Sequence, residues 1–503
     1  TLQVFKAEVT PAKTCDLNYK IYVCDDANTY CLPKEGTFNC ITNVSLENKI
    51  NNQVVNTLKE THPTSATKTN DLFIYNQPEL AIEKAKVENK PLMIDFFGSW
   101  CPPCNVLDET IFSQPSFKKY KNKMVFLKLD ADMASSWSLK EKFKVKGYPT
   151  LIFLTKNEEE IYRIVGSLTP NSFSKKINYI LRNKTTSIKD LVRNFEKKKT
   201  PANAWKLIEA YYNQESYQST LDLIPFAVQK AKLTTKEQDL IQYLPFRASF
   251  SYLKKESYPH YIQFLKNSVE AFSLQETFLD KLTLLDNIAT DLKDDDLNKW
   301  ISLKVLNITN TLTQKKLSED SFLSPIDILF IRADAFEKLG FKTESQFVYQ
   351  QAATALETEI KKYHLDIKTN RGFNLDRVYA IYKSGDFEKA DKLYKELISI
   401  YPNEFTFYYN HANVLKDLGK KEEALSEAKK AYEYSYGDNK LRAAFFTADL
   451  LKALDHKKEA LKLVNEVMST TTLPNEPNVR THRYYQKLMS LKEELQLNSS
   501  SHN

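Results

Sequence analysis

The chain has 503 residues, of which 42% are hydrophobic and 27% charged, and it contains only 9 glycines. This length predicts two to four domains, and the scarcity of glycine favours helices over turn-rich sheet. The 71 basic and 64 acidic residues are spread along the whole chain, so its net charge of +7 comes without the basic block that nucleic-acid binding requires. We also expect no membrane span, because no run of 18 apolar residues occurs.

The six cysteines all fall in the first 104 residues, in two clusters. The first cluster contains four cysteines and the second contains two: Cys15, Cys24, Cys31 and Cys40, then Cys101 and Cys104. This even, clustered set is typical of disulfide chemistry, and we expect a periplasmic or otherwise exported protein. A reduced cytosolic protein with few cysteines is the alternative. The chain begins at Thr1 without methionine, which fits a removed signal peptide that the sequence does not contain.

The first predicted element is a β hairpin in a cysteine-rich arm, residues 1–48. Residues 18–23 (NYKIYV) alternate as a strand and run into a loop closed by Cys24 and Cys31. Four cysteines allow three pairings, and the spacing alone leaves them open. Residues 49–72 are polar and rich in threonine, which predicts a linker.

Residues 73–184 have the pattern of an α/β domain built around the motif FGSWCPPC. Pro78–Val87 predicts a helix, Pro91–Phe97 a buried strand, and the residues after Cys101 a second helix. The elements that follow are a strand at Lys123–Asp130, a helix at Ser136–Phe143, a strand LIFL after Thr150, a strand at Glu160–Val165 and a helix at Pro170–Leu181. Cys101 is therefore expected at a helix N-terminus, where unpaired backbone N–H groups favour the thiolate.

This order of elements resembles the thioredoxin family over the whole segment. The resemblance makes Cys101 the attacking, solvent-facing cysteine and Cys104 the resolving cysteine, which is usually buried. It makes Asp95 the family's buried aspartate and Lys128 the lysine beside it. Pro149 matches the cis-proline that packs beside the two sulfurs. Five matches at consistent spacing are more specific than a C-x-x-C motif alone.

The chemistry that the resemblance implies is thiol:disulfide exchange on protein substrates. The thiolate of Cys101 would attack a substrate disulfide, and Cys104 would then resolve the mixed disulfide after losing its proton. Burial raises the pKa of a carboxyl, so Asp95 is the candidate acceptor of that proton, with Lys128 tuning it.

Three further residues are candidates for substrate binding. A cis bond at Pro149 would expose the backbone of Tyr148 to an extended substrate, and Trp100 directly precedes Cys101. Both aromatic residues could instead serve packing only, just as Asp95 could be a capping residue and Lys128 a solvated one.

A zinc site or an inert disulfide is the alternative use of the cysteine pair. A structural zinc ion requires four ligands, and no second C-x-x-C lies in the same fold. We therefore expect no metal and no other cofactor. The loop that a disulfide of this spacing closes is too short to add much stability.

The direction of electron flow is predicted from resemblance. Pro103 before Cys104, together with the Asp95 and Lys128 pair, is similar to the reducing members of the family, and we expect a reductase, with an oxidase or isomerase as the alternative. FFGSWCPPC also resembles the C-terminal domain of DsbD-type interchange proteins. The hairpin resembles a redox hairpin in their N-terminal immunoglobulin-like domain, of which it could be a remnant. That resemblance implies two disulfides, Cys24 with Cys31 and Cys15 with Cys40.

Residues 185–497 predict a helical-repeat array, followed by a disordered tail at 498–503. Gly385 and Gly419 are 34 residues apart, and each precedes an alanine by five residues, Ala390 and Ala424. This spacing resembles the tetratricopeptide repeat, with irregular further units around Gly340 and Asp455. Such arrays commonly bind peptides or proteins.

Two hypotheses follow for the whole chain. In the first, a thiol:disulfide oxidoreductase acts on client proteins that the repeats recruit. In the second, the repeats bind partners and the thioredoxin fold is only a docking module. Phe405, Tyr408 and Tyr409 could line a binding groove, although aromatic residues at helical spacing more often form core. The upstream electron donor cannot be identified from the residues.

Overall fold

The computed structural model describes residues 15–24, 31–40 and 72–500, apart from gaps at 167, 273–274, 276, 315–322, 369 and 474–479. Its contacts divide the chain into two compact units. One spans Ala66–Gly437, and the other combines Thr1–Ser65 with Asp438–Asn503. None of the helices in these described stretches is long and apolar enough to cross a membrane.

The N-terminal strands form the predicted hairpin. β1 (Cys15–Cys24) pairs antiparallel with β2 (Cys31–Cys40). Their register places the backbone of Cys15 opposite Cys40 and that of Cys24 opposite Cys31. The side chains of the hairpin, with the two predicted disulfides, and the predicted linker up to residue 71 lie outside the described residues.

Residues 73–182 fold into a five-stranded sheet with helices on both faces. The strands are β3 Phe73–Tyr75, β4 Leu92–Phe97, β5 Val125–Asp130, β6 Thr150–Leu154 and β7 Glu160–Val165. They are ordered β3-β5-β4-β6-β7, with β3 and β4 parallel to β5, and with β6 antiparallel to both β4 and β7. The predicted thioredoxin-like order is confirmed.

Four helices cover this sheet: α1 Pro78–Val87, α2 Pro102–Leu107, α3 Ala134–Phe143 and α4 Pro170–Arg182. A π-helical turn, Asp108–Phe112, extends α2, and a 3-10 helix follows at Pro115–Tyr120. Alternate residues of each central strand point to opposite faces, as the two-residue period of a strand requires. Leu92, Ile94 and Phe96 therefore join the core beneath α1 and α3, whereas Met93 joins the core beneath α2 and α4.

From residue 188 onward the described chain is almost entirely helical. Its first eleven helices are α5 Ile188–Lys197, α6 Pro201–Asn213, α7 Gln218–Leu221, α8 Ile224–Ala227, α9 Thr235–Ser249, α10 Tyr258–Ala271, α11 Thr277–Leu292, α12 Asp295–Gln314, α13 Pro325–Lys338, α14 Lys342–Lys362 and α15 Arg371–Lys383. The remaining helices are α16 Phe387–Ile400, α17 Phe405–Asp417, α18 Lys421–Tyr434, α19 Gly437–Ala453, α20 Lys457–Thr470 and α21 Arg480–Ser500.

The repeat signal marks the turns between paired helices. Gly340, Gly385, Gly419 and Asp455 each follow the first helix of a pair, and each has a positive φ, between 62° and 90°. Glycine adopts this left-handed backbone without the steric penalty of a Cβ atom. The alanines predicted to allow close helix packing, Ala390 and Ala424 among them, are fully buried. The prediction of a tetratricopeptide-like helical array is confirmed.

The aromatic residues considered as groove candidates contribute to packing. Phe405 and Tyr408 are buried in α17, and Tyr409 is half-buried. The Tyr408 hydroxyl donates to the carbonyl oxygen of Pro402 at 2.8 Å. The interpretation as core is therefore the better one for Phe405 and Tyr408.

Candidate active site

The two central strands bring Asp95 and Lys128 side by side. These residues are direct partners in the register of β4 and β5, and both point to the face covered by α2. Asp95 is 2% exposed and Lys128 is 3% exposed, with 3.2 Å between the carboxylate Oδ2 and the Nζ atom. The predicted pair therefore exists, and Lys128 is not a solvated surface residue.

A third charged group, Asp108, completes this cluster. Its carboxylate accepts a hydrogen bond from Lys128 Nζ at the start of the π-helical turn. Burial raises the pKa of Asp95 to about 6 against the opposing effect of Lys128. Burial also lowers the pKa of Lys128, but the carboxylates of Asp108 and Asp95 outweigh it and raise that pKa above its ordinary value. Among the described atoms, Oδ1 of Asp95 has no hydrogen-bond partner.

The two cysteines lie at the start of α2. Cys101 is the N-cap residue, and the backbone N–H of Cys104 points at its Sγ atom at 3.3 Å. The two sulfurs are bonded to each other. Each cysteine is only 3% exposed, which differs from the expected solvent-facing Cys101. The Cys101 sulfur is bonded to Cys104, so this side chain presents little of its surface to solvent.

The structure brings the rings of Trp100 and Tyr148, two of the candidate substrate-binding residues, into contact. Their rings lie edge to face with centroids 6.1 Å apart, and the Tyr148–Pro149 peptide bond is cis. The indole N–H of Trp100 donates to Asp132 Oδ2 at 2.6 Å, which fixes the ring over the loop after β5. Trp100 also covers Gly98 closely, since a Cβ atom there would lie 2.8 Å from the indole.

The helical array supplies a second set of residues to this region. The guanidinium of Arg371 donates to the carbonyl oxygen of Ser99 at 2.8 Å, two residues before Cys101. The backbone N–H of Gly372 donates to Glu109 Oε1 at 3.3 Å. The amide of Asn105 donates to Asp376 Oδ1 at 3.3 Å. These contacts join residues more than 260 positions apart, and Gly372, a glycine inside a helix, is the one local signal that points to any of them.

Several carboxyls between the redox domain and the array are buried. Burial raises the pKa of Glu109 to about 8, that of Asp376 to about 7 and that of Asp130 to about 7. The buried guanidinium of Arg371 opposes this rise at Glu109 and Asp376, and its Nε atom lies 3.7 Å from Oε2 of a further buried carboxylate, Glu404. Burial therefore favours the protonated form of these carboxyls.

Among the residues that the structure describes, no group of three histidine, cysteine, aspartate or glutamate side chains is placed to hold a metal ion. The four N-terminal cysteines belong to the other compact unit of the chain.

Comparison with known proteins agrees with this geometry. A family model of the thioredoxin-like domain matches residues 78–181. The chain is 35% identical over 99 residues to thioredoxin H4 of Arabidopsis thaliana, an alignment that covers 20% of this chain and 75% of that protein. It is 31% identical over 107 residues to the thiol:disulfide interchange protein DsbD of Campylobacter jejuni, covering 21% of this chain and 18% of that protein.

The fold, the C-x-x-C pair and these relatives define a thiol:disulfide oxidoreductase. The chain belongs to the thioredoxin family. It spans only 18% of the length of the Campylobacter jejuni interchange protein. A solved tetratricopeptide repeat protein from Parabacteroides merdae is 14% identical, with 57% of this chain and 98% of that chain covered and a TM-score of 0.34.

Proposed function

We propose that this protein reduces disulfides in protein substrates, with Cys101 as the attacking cysteine and Cys104 as the resolving one. The observation that carries the proposal is the bonded cysteine pair at the start of α2, in the same domain as the buried Asp95 and Lys128 pair. Backbone N–H groups at a helix start favour a thiolate, and the N–H of Cys104 already points at the Cys101 sulfur.

The reaction begins from the reduced dithiol. The Cys101 thiolate attacks one substrate sulfur, the substrate S–S bond breaks, and the second substrate sulfur leaves as a thiolate. Cys104 then gives its proton to Asp95 and attacks the Cys101 sulfur. The mixed disulfide breaks and the protein keeps the Cys101–Cys104 disulfide. The substrate leaves with both sulfurs reduced; one thiolate takes the proton held by Asp95 and the other takes a proton from water. A dithiol donor must restore the reduced form.

Asp95 suits the role of proton acceptor because its pKa is about 6. A carboxyl with that pKa is mostly ionised at neutral pH, yet it is basic enough to take a proton in the transition state. Lys128 would hold the Asp95 carboxylate in place and oppose its protonation. Trp100, Tyr148 and Pro149 would form the surface on which the substrate lies.

The array would recruit the protein clients, and an exported location is part of this proposal. The reducing direction is supported by Pro103 and by the Asp95 and Lys128 pair; oxidation or isomerisation is the alternative. An adaptor role, with the thioredoxin fold as a docking module, is the second candidate. It is favoured by the length of the helical array, which runs from residue 188 to residue 500.

Substitution of the resolving cysteine separates the two candidates. Cys104→Ser should accumulate mixed disulfides between Cys101 and its clients, because the second attack is lost. Mass spectrometry of the trapped species would place the bond, and Cys101→Ser with Cys104→Ser is the matched control. If no covalent species forms under oxidising conditions while partners still bind, the adaptor role is the correct one.

A further inference from the structure

The start of α15 lies against the redox centre from one side. Arg371 holds the carbonyl oxygen of Ser99 in the loop before the cysteines, and Gly372 donates its N–H to Glu109 behind them. This approach requires glycine, since a Cβ atom at Gly372 would lie 2.7 Å from the Cβ atom of Asn105. The helix backbone therefore packs directly on α2.

An apolar cluster makes this contact part of the protein core. Val106 of α2, two residues after Cys104, packs with Ile326, Leu356 and Phe373 of the array. Leu356 and Phe373 are fully buried, and Val106 is nearly so. Burial of this kind is worth roughly 25 cal/mol for each Å² of apolar surface removed from water, so the array does not leave this position easily.

A second part of the array covers the loop after β5. The Tyr436 hydroxyl donates to Asp130 Oδ2 at 2.5 Å. Gly437 packs against the backbone of Asp132, where a Cβ atom would lie 2.1 Å from the carbonyl oxygen. Asp132 in turn accepts the indole N–H of Trp100. The array thus contacts both the loop that leads into Cys101 and the loop after β5 that holds Trp100.

Several residues near the disulfide remain partly exposed. Trp100, Pro102, Pro103 and Tyr148 are half-buried, whereas Cys101 is buried. A folded client brings a surface of up to roughly 600 Å² to a transient redox complex, and that surface would have to extend around the disulfide. An extended segment needs only a strand-like edge and pockets for alternate side chains.

We infer that the helical array is a wall of the substrate site that selects disulfides by shape. It admits small disulfides and disulfides on extended or unfolded segments, and it excludes disulfides on the surface of folded proteins. This inference rests on the proposed function and adds the class of substrate. The array then acts as a selector at the redox centre itself, in addition to any recruiting role.

The test compares one disulfide in two contexts. The reduced full-length protein is mixed with a folded reporter protein that carries a surface disulfide, and with the excised unstructured peptide that carries the same disulfide. For the native chain we expect kcat/KM to be about 100-fold higher with the peptide, because the folded reporter meets the array. Equal values for the two substrates would overturn the inference.

Gly372→Leu should weaken this selection by pushing α15 away from α2. We expect kcat/KM for the folded reporter to rise about tenfold while the value for the peptide stays within about twofold. Lys383→Leu, at the other end of α15, is the matched control and should leave kcat/KM for both substrates unchanged. Tyr436→Ala removes the hydrogen bond between the array and Asp130, and it is the variant to test if Gly372→Leu fails to fold.

The failures of the two proposals are distinguishable. If neither Gly372→Leu nor Tyr436→Ala changes the ratio of kcat/KM for the peptide to kcat/KM for the folded reporter, the array does not select substrates, even if the peptide is reduced rapidly. If the native protein reduces the peptide no faster than Cys101→Ser does, the proposed function is wrong, and the selection of substrates by the array is wrong with it.

Discussion

Replacement of Asp95 by asparagine removes the proposed proton acceptor and keeps the shape of the side chain. Asp95 is buried in the middle of β4, and its carboxylate lies 3.2 Å from Lys128 Nζ. Lys128 retains Asp108 as a partner in the variant, so the change leaves no buried cation unpaired. The variant therefore isolates the base from the rest of the cluster.

The size of the effect follows from the pKa of about 6. Such a carboxyl is roughly 10% ionised at pH 5 and roughly 90% ionised at pH 7, so the resolving step should accelerate about ninefold between these values. Loss of a positioned general base costs about 10²- to 10⁴-fold in rate. Asp95→Asn should therefore slow the resolving step at pH 7 by about 10²-fold or more and remove its pH dependence around pH 6.

Stopped-flow absorbance with 5,5′-dithiobis(2-nitrobenzoic acid) resolves the two steps. Attack by Cys101 releases one equivalent of thionitrobenzoate, and attack by Cys104 on the resulting mixed disulfide releases the second. Only the second phase should slow in Asp95→Asn. Asp108→Asn, which changes the other carboxylate on Lys128, is the matched control and should retain a fast second phase. A second phase in Asp95→Asn that matches the native rate and pH dependence would refute the role of Asp95.

Two further predictions concern the contact between the redox domain and the array. Burial raises the pKa of Glu109 to about 8, against an ordinary value of 4.5. Between these two pH values the folded state binds a proton that the unfolded state releases. The free energy of unfolding should therefore fall by about 1.4 kcal/mol for each unit by which the pH rises. Glu109→Gln should flatten this fall in urea unfolding between pH 5 and pH 8; an unchanged slope would contradict the assignment. Phe373→Ala should lower the free energy of unfolding by about 3 to 5 kcal/mol, because the ring is fully buried. Phe347→Ala, whose ring is 60% exposed, should cost far less, and similar losses for the two would count against an interdomain core.

The redox domain was predictable because its signals are local. The strands LMIDFF and VFLKLD are apolar runs with a charged residue in their interior, Asp95 in the first and Lys128 in the second. A charge in the middle of a buried strand requires a partner, and the register of parallel neighbours supplies it. The helical repeats were predictable for the same reason, since glycine recurs at the turns and alanine recurs where two helices pack closely.

The rest of the site could not be predicted, because its contacts are distant in the chain. Asp108 follows α2 and has the pattern of an ordinary helical carboxylate, yet it bonds Lys128. Arg371 meets Ser99 across 272 residues, a separation at which local patterns carry no information. Gly372 was the one available signal. A glycine inside a helix lowers helical stability, so it often marks a close approach of two backbones.

The reduction potential of the Cys101–Cys104 pair tests the proposed reductase most directly. The full-length protein would be equilibrated in dithiothreitol and glutathione buffers, and its dithiol fraction would be counted by alkylation and mass spectrometry. The proposal predicts a potential of about −270 mV, in the range of reducing thioredoxins. A potential of about −120 mV, typical of a strong oxidant, would contradict it.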